Sequence, residues 1–402
     1  MEWLKQRGIP KGVRLISLAT AVRWFGWGIV EALIPVFLFQ VSNTYAVTGV
    51  LGAIYSFVFL LALPCAGMLA DRVSARTLLI IGILIYPFIG LSYTLAGLTG
   101  FVSLIVIARA LNGLAYAFDS VGRGAYFRNH SNNKIISMVF GYFGTLTNLW
   151  WMMGLALALF LVSFVPMTWL FMAIIPTSVI SLVMFLHLDN DGREKLGDGF
   201  RNILSKGIYR SMFKETRRWN GQVRFAGLIE FFSAFIGTLV SFFLPIYAYL
   251  QNESLLKIVG ITLILASPGL LGNYFGRIAD KKRTRCIYVG LVSLFGVLLL
   301  LSVVKMYALY LVAALVMGTV LELLSITNTG IATIFTKRGH YGRLSSAMNA
   351  VSELGDIVGT LAIGFLIDRI GMQDNFLVIA ALTLGVLIVF WRMRGSLDSE
   401  NA

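Results

Sequence analysis

Nine ionisable side chains lie within the long apolar segments of this 402-residue chain, and these are the residues best placed to do chemistry. They are Arg23, Glu31, Arg109, Asp119, Arg224, Glu230, Glu322, Glu353 and Asp356. Burying a charge in an apolar segment is costly, so such groups usually face a partner or a water-filled cavity. A carboxylate in that setting can bind a proton or a cation, whereas an arginine keeps its charge and pairs with an anion. Because acids outnumber bases in this set, it favours binding of protons or cationic molecules.

The segments that must position these charges are those of an integral membrane protein. Hydrophobic residues make up 58% of the chain and charged residues only 13%, against about 25% charged in a soluble domain. We predict twelve membrane-spanning helices, each long enough to cross a hydrocarbon core about 30 Å thick. Their predicted limits are 14–41, 47–70, 76–97, 101–127, 134–163, 167–188, 220–250, 255–277, 285–304, 307–336, 345–367 and 374–393. The two cysteines define no disulfide framework and no metal-ligand spacing, so no metal or cofactor is expected.

Lysine and arginine set the predicted orientation. All but six of the 33 lie at one set of span ends, Arg123 among them. The opposite ends carry only Lys257, Lys305 and Arg369. Because positive residues collect on the cytoplasmic side, both termini are predicted to be cytoplasmic, in a cell (inner) membrane. The net charge of +14 is therefore a topology signal and not evidence for nucleic acid binding.

One long polar and basic stretch, residues 189–219, interrupts the apolar pattern. We interpret it as a cytoplasmic linker that holds a surface helix over 202–217. It separates a predicted N-terminal six-helix bundle, 1–188, from a C-terminal bundle, 220–402. No segment outside the spans is large enough for a folded soluble domain, which argues against a membrane-anchored enzyme.

Two short loops between spans repeat one pattern of glycine, aspartate and basic residues. The pattern comprises Gly67, Asp71, Arg72 and Arg76 in the first copy and Gly276, Asp280, Lys281 and Arg285 in the second. Glycine and aspartate both recur after 209 residues, about half the chain, which indicates a duplicated half. The pattern resembles the signature loop of the major facilitator superfamily, Gly-x-x-x-Asp-Arg/Lys-x-Gly-Arg-Arg/Lys. Ser74 and Arg283 stand where that family usually has its second glycine.

The resemblance covers essentially the whole chain and implies its architecture. It implies an all-α membrane protein of twelve helices in two pseudo-symmetric six-helix bundles, with the substrate path between them. It also implies a monomer that moves a small-molecule substrate across the lipid bilayer by alternating access, with the two loops as gating elements. In the superfamily, spans 1, 4, 7 and 10 line the cavity, and each carries at least one of the nine charges here. Gly67 would let two helices pack closely, and Asp71 would lie against the positive end of a neighbouring helix or pair with an arginine.

Depth in the membrane predicts two ion pairs. At ~1.5 Å per residue, Glu31 and Arg109 lie at one depth, and Arg23 and Asp119 share another that is nearer the cytoplasm. The segment Arg109-Ala-Leu-Asn112-Gly resembles the helix-4 motif Arg-x-x-Gln-Gly of proton-coupled members, with Asn112 in place of glutamine. The resemblance implies that Arg109 takes part in proton transfer, by stabilising a carboxylate in one conformation and releasing it in the other. A static ion pair that fixes helix packing is the alternative.

Four further acidic residues have different expected roles. Glu322 lies near mid-membrane with no basic residue at its depth, so we expect it to bind a proton or a cationic substrate. Glu230 lies closer to the cytoplasm, where Arg224 or a linker residue is a candidate partner. Glu353 and Asp356 fall in the first turns of the eleventh span and are expected to be structural.

The residues together predict a secondary transporter. Aromatic residues such as Trp150 and Trp151 would suit an amphipathic cation where they line a cavity, although most such residues face lipid. No nucleotide-binding loop is present in the sequence, so a proton gradient is the expected energy source. We therefore predict proton-coupled export of hydrophobic or cationic small molecules. The fifth span lacks the Gly-Pro pair common in drug–proton antiporters, so a metabolite symporter or uniporter, or a sensor that moves nothing, stays open.

Overall fold

The computed structural model describes residues 9–70, 72–131, 136–189, 219–251, 253–303, 305–334 and 341–398. Within these ranges every regular element is helical. Asp71 and the predicted surface helix over 202–217 lie outside the described residues. The expected all-α class is therefore confirmed for the part of the chain that the structure describes.

The helices follow the apolar segments of the sequence. Before residue 190 they are α1 Lys11–Glu31, α2 Ile34–Ser42, α3 Tyr45–Ala70, α4 Ala75–Thr99, α5 Val102–His130, α6 Ile136–Leu161, α7 Met167–Leu170 and α8 Ile174–Leu186. After residue 218 they are α9 Gly221–Thr238, α10 Leu244–Leu250, α11 Leu255–Ala266, α12 Gly272–Val303, α13 Tyr307–Ile334 and α14 Tyr341–Asp398. Tight turns of 3-10 helix over Phe171–Ala173 and Ser267–Leu271 join α7 to α8 and α11 to α12, and a π-helical turn over Leu239–Phe243 joins α9 to α10.

Several helices begin at a polar residue that caps them. The Ser74 hydroxyl accepts a hydrogen bond from the backbone N–H of Thr77 at the start of α4, 3.2 Å away. The Asn220 side chain does the same for Val223 at the start of α9, at 2.9 Å. These bonds satisfy N–H groups that the first turn of a helix leaves without a partner. The residue that replaces the family's loop glycine, Ser74, thus has a local structural role.

Ten of the described helical segments are long and apolar enough to cross a membrane. One of them, Ala347–Arg394, has 48 residues, enough at ~1.5 Å per residue for two crossings of a core about 30 Å thick. The backbone leaves helical geometry within it at Gly371, whose φ of 81° suits glycine. A similar break occurs in α12 at Lys282. The multi-pass membrane fold is confirmed, whereas the count of twelve stays a prediction.

The chain divides into two compact units. Unit 1 comprises Met1–Glu31 with Phe57–Tyr209, and unit 2 comprises Ala32–Ser56 with Arg210–Ala402. Unit 2 therefore takes in the end of the first apolar segment and the first turns of α3. The predicted bundle limits, 1–188 and 220–402, stay a prediction about the organisation of the chain in the membrane.

Glycines bring the helices of unit 1 into backbone contact. In this unit α1 packs against α6 and α8, and α4 packs against α5 and α8. A Cβ atom placed on Gly154 of α6 would lie 2.1 Å from the Phe25 carbonyl oxygen of α1. One placed on Gly28 would lie 2.2 Å from the Trp151 carbonyl oxygen. Because lipid is as apolar as the helices, close backbone approach of this kind is what holds membrane helices together.

Unit 2 has an apolar core, and its helices also approach one another closely at glycines. Here α9 packs against α13 and α14, and α12 packs against the same two helices. A Cβ atom on Gly318 of α13 would lie 2.2 Å from the Leu265 carbonyl oxygen, and one on Gly355 of α14 would lie 2.3 Å from that of Phe231. The short helices α2 and α10 also pack together.

Candidate functional site

A buried cluster of three charges connects α1 to α5 in unit 1. The Arg23 Nη2 atom donates to Asp119 Oδ2 at 2.7 Å, and the two side chains are 4% and 1% exposed. The guanidinium of Arg23 also lies over the Tyr86 ring, 4.4 Å from its centroid. The predicted pair Arg23–Asp119 is therefore confirmed.

The third member of this cluster is Arg123, which the sequence interpretation treated only as an orientation signal. Its Nη1 atom donates to the same Asp119 oxygen, and its guanidinium lies 4.6 Å from the centroid of Phe143. The signal that identifies it is its spacing, since residues four apart share one face of a helix. Two arginines thus share one carboxylate, which supplies a single negative charge to two positive ones.

Glu31, at the end of α1, joins a second polar cluster in unit 1. Its Oε2 atom accepts a hydrogen bond from the Trp151 indole Nε1 of α6 at 2.6 Å. Arg109 of α5 interacts electrostatically with Glu31 and with Tyr93 of α4. Arg109 is therefore close enough to act on the charge of Glu31, whereas the direct hydrogen bond described for Glu31 comes from Trp151, and the direct ion pair Glu31–Arg109 stays a prediction. Groups from α5 and α6 thus act on this carboxylate of α1, and α4 joins the cluster through Tyr93 and Arg109.

Glu230 of α9 lies among neutral hydrogen-bond donors in unit 2. The Asn328 Nδ2 atom of α13 donates to Glu230 Oε2 at 2.6 Å, and Ser352 of α14 bonds the same carboxylate. Arg224, one of the two predicted partners, is exposed one and a half turns earlier on α9. The sequence analysis did not identify Asn328 and Ser352, because a neutral polar residue in an apolar segment is only a weak indication of a functional site.

Glu322 occupies a different environment from Glu230 although both lie in unit 2. It is half-buried on α13, and its Oε1 atom is 3.4 Å from where a Cβ atom on Gly272 of α12 would be. Within the described residues it forms no hydrogen bond and no ion pair, which agrees with the absence of a basic residue at its depth. Its expected role in binding a proton or a cationic substrate stays a prediction.

Neighbouring acids on α14 bond hydroxyl groups. The Thr238 hydroxyl donates to Asp356 Oδ1 at 3.3 Å, and Glu353 bonds the Ser56 side chain of α3. Helix α14 begins at Tyr341, so Glu353 and Asp356 lie about three or more turns inside it rather than in its first turns, and their structural role stays a prediction. Within the described residues, no group of three or more histidines, cysteines, aspartates or glutamates could hold a metal ion.

The first glycine of each signature loop has free space beside it rather than a closely packed helix. Among the described residues, nothing lies within 4 Å of a Cβ atom placed on Gly67 or Gly276, so the expected close helix packing at Gly67 is not present in this conformation. Arg76 Nη2 donates to the Leu186 carbonyl oxygen at the end of α8, at 2.7 Å. A cation at that position also complements the negative end of the helix dipole.

The basic residues of the second signature loop line a cavity, as described below, and Arg72 of the first lies in the turn that follows α3. Asp71 lies outside the described residues, and the side chain of Asp280 is likewise not among those described. The gating roles of these loop residues stay predictions.

A contact of the kind expected at Gly67 and Asp71 is present at a third site with the same spacing, Gly364 and Asp368. The Asp368 carboxylate accepts hydrogen bonds from the backbone N–H groups of Tyr45 and Ala46, at 3.0 and 2.7 Å, and so caps α3. A Cβ atom on Gly364 would lie 2.5 Å from the Tyr45 carbonyl oxygen. The signal was present in the sequence, since Gly364, Asp368 and Arg369 repeat the spacing of Gly67, Asp71 and Arg72.

Comparison with known proteins identifies the family. The family model of the Major Facilitator Superfamily matches residues 16–360, and the chain belongs to that superfamily. A protein of Bacillus subtilis (strain 168) named Multidrug resistance protein 2 is 24% identical over 288 residues, which are 68% of this chain and 69% of that one.

Solved structures of transporters share the fold. A POT family transporter in complex with a thioalcohol-conjugated peptide superimposes with a TM-score of 0.76 at 12% identity, over 98% of both chains. A D-xylose–proton symporter does so with 0.73 at 11% identity, over 94% of this chain and 97% of the other. A human organic anion transporter gives 0.67 at 15% identity, over 95% of this chain and 100% of the other. Fold and family together make this chain a multi-pass membrane transporter rather than an enzyme.

Proposed function

We propose that this transporter exports hydrophobic or cationic small molecules in exchange for protons. The observation that carries the proposal is the environment of Glu230 and Glu322. Glu230 accepts hydrogen bonds from the neutral Asn328 and Ser352, and Glu322 has no hydrogen-bond or ion-pair partner among the described residues. A carboxylate in an apolar span without a bound cation is suited to take up a proton or a positively charged substrate.

The pairing of Arg23 and Arg123 with a carboxylate also supports a cationic rather than an anionic substrate. Arg23 and Arg123 are both bonded to Asp119, and the aromatic rings of Tyr86 and Phe143 cover their guanidinium groups. An anionic substrate would have to displace Asp119 to reach either of them. We assign this cluster a static role in helix packing and place proton coupling at Glu31, Glu230 and Glu322.

The similarity to a relative named for multidrug resistance supports the direction of transport and the drug–proton antiporter branch. One observation favours uptake of a metabolite as the second candidate. Helix α6 runs unbroken over Ile136–Leu161 and contains no proline, so the Gly-Pro element common in drug–proton antiporters has no counterpart here.

Proton movement in proteoliposomes tests the proposal. A pH-sensitive dye inside the vesicles would report proton flux as lipophilic cations and then metabolites are added. We expect cations to trigger proton efflux from the vesicles, and Glu322→Gln and Glu230→Gln to lose it. Glu253→Gln is the matched control, because Glu253 pairs with Lys257 at an exposed helix end.

The same measurement distinguishes the alternatives. Proton flux that follows metabolite uptake in the same direction would replace the antiporter with a symporter. Substrate flux without proton movement would indicate a uniporter, and no flux with any compound would favour a protein that senses rather than transports.

A further inference from the structure

A basic cavity lies at one end of unit 2, away from the carboxylates described above. It has a volume of about 470 Å³ and is bounded by the break in α12 and the last turns of α14. The lining residues are Lys281, Lys282, Arg283, Thr284, Arg285, Tyr288, Phe390, Trp391 and Arg394. This volume falls in the range of small-molecule sites, roughly 300–1,000 Å³.

The charge of this cavity selects its ligand. Five of its lining residues are lysine or arginine, and among the residues whose side chains are described none that lines it is acidic. Guanidinium groups present several N–H donors in a planar fork that matches phosphate oxygens. The non-helical backbone at Lys282, with φ −143° and ψ 49°, redirects the chain within the basic run, so its side chains do not all follow a single helix face. The cavity is therefore suited to a phosphate-bearing anion.

The surroundings of the cavity add an apolar component. Trp391 is 55% exposed and Tyr288 42%, and the Arg394 guanidinium lies 3.9 Å from the centroid of the Trp391 ring. The adjoining Val289 and Ile388 are exposed as well. Tryptophan and tyrosine at the end of a membrane span mark the level of the lipid headgroups. A ligand bound here would contact cations through one part and an apolar surface through another.

We propose that this cavity binds the phosphate of an anionic phospholipid headgroup, with the acyl chains lying along the exposed apolar surface of α12 and α14. Basic pockets between membrane helices on the cytoplasmic side are known to hold such headgroups. The cavity lies at the end of the spans where lysine and arginine collect, which is the side predicted to be cytoplasmic. Phosphate chemistry is shared with soluble phosphates, and the apolar surroundings favour the lipid.

Native mass spectrometry of the full-length protein in detergent tests this site. The probes are dioctanoyl phosphatidylglycerol, dioctanoyl phosphatidylcholine and inorganic phosphate. We expect phosphatidylglycerol to bind in preference to the other two, and the double variant Lys282→Gln/Arg394→Gln to weaken its binding about tenfold or more, since each cation near an anionic headgroup contributes to affinity. Neither residue is one of the predicted gating positions.

A matched control removes the same charge elsewhere. Lys11 and Arg14 are exposed on α1 in unit 1, and Lys11→Gln/Arg14→Gln should leave phosphatidylglycerol binding unchanged. Equal weakening by both double variants, or no weakening by Lys282→Gln/Arg394→Gln in a monodisperse sample, would overturn the proposal. Inorganic phosphate that binds as tightly as the lipid would overturn the lipid as the source and leave a soluble phosphate as the ligand.

Discussion

Arg23 and Asp119 are 96 positions apart in the chain, yet their side chains meet at 2.7 Å in the interior of unit 1. Arg123 completes the contact from one turn further along α5. Three charged groups share a site that is almost completely closed to solvent. We propose that these charges hold helices together, whereas transport depends on other carboxylates, those of Glu31, Glu230 and Glu322.

Removal of the shared carboxylate should be far more damaging than removal of one arginine. Asp119→Ala removes the carboxylate that both buried arginines share, and breaking a buried pair in this way costs about 3–5 kcal/mol. Arg23→Gln leaves the Arg123–Asp119 pair intact, so we expect a smaller loss. Thermal unfolding of the purified protein in detergent measures both. Equal losses of stability would show that Arg123 does not share the carboxylate.

The indole of Trp151 should matter for transport through one hydrogen bond. Trp151→Phe keeps an aromatic ring on α6 but removes the donor to Glu31, and a hydrogen bond to a charged group contributes about 1.5–3 kcal/mol. We expect at least a tenfold slower substrate flux in proteoliposomes, with Trp150→Phe as the neighbouring control. A flux equal to that of the unmodified protein would contradict a role for this bond.

Glu31 and Arg109 should behave as one unit in a double-mutant cycle. If their electrostatic interaction supports proton coupling, Glu31→Gln and Arg109→Ala will each reduce proton-coupled flux, and the double variant will be no worse than the more damaging single one. Initial rates from the dye assay give the three values. Additive losses would mean that the two residues act separately.

Two glycines of the same helix should respond to alanine in opposite directions. Gly154→Ala forces a methyl group against the Phe25 carbonyl oxygen of α1, and overpacking of this kind costs about 1–3 kcal/mol. Among the described residues, nothing lies within 4 Å of a Cβ atom on Gly144, so Gly144→Ala should be neutral or stabilise α6 by up to about 1 kcal/mol. Melting temperatures of the two variants test this prediction. If both substitutions raise or both lower the melting temperature, the close contact between Gly154 and Phe25 would be refuted.

The cap on α3 should be detectable by hydrogen exchange. Asp368→Ala removes the acceptor for the N–H groups of Tyr45 and Ala46, and loss of an N-terminal cap costs about 0.5–2 kcal/mol. We expect faster exchange in the first turn of α3 and no change elsewhere in that helix. Asp374→Asn, at an exposed position of α14, is the control. Unchanged exchange in Asp368→Ala would show that the carboxylate does not protect this turn.

From the sequence, the depth of a charged residue in the membrane could be predicted more accurately than the direction in which its side chain points from the helix. A constant rise per residue places Arg23 level with Asp119 without any knowledge of packing, and that pair is present. Which groups face a given carboxylate depends on the rotation of each helix about its axis. For that reason Trp151 and Asn328, which donate to Glu31 and Glu230, could not be identified from apolar periodicity alone.

The Gly-x-x-x-Asp pattern shows a second limit of sequence interpretation. The close helix contact predicted at Gly67 is absent among the described residues, and the contact predicted for Asp71 lies outside the described residues and stays a prediction. A close contact with a capped helix start is present at Gly364 and Asp368, while the surroundings of Gly67 are open. The same spacing can occur where two helices pack closely and where they do not, and the packing of the whole chain decides between these outcomes.

The arrangement of charges in the Arg23, Asp119 and Arg123 cluster has a consequence for ion leakage. Arginine does not lose its proton at any physiological pH, so Arg23 and Arg123 stay charged while Asp119 supplies a single negative charge. Fixed cations of this kind exclude protons from other membrane pores. We therefore expect the fixed charges of Arg23 and Arg123 to oppose leakage of inorganic cations through unit 1.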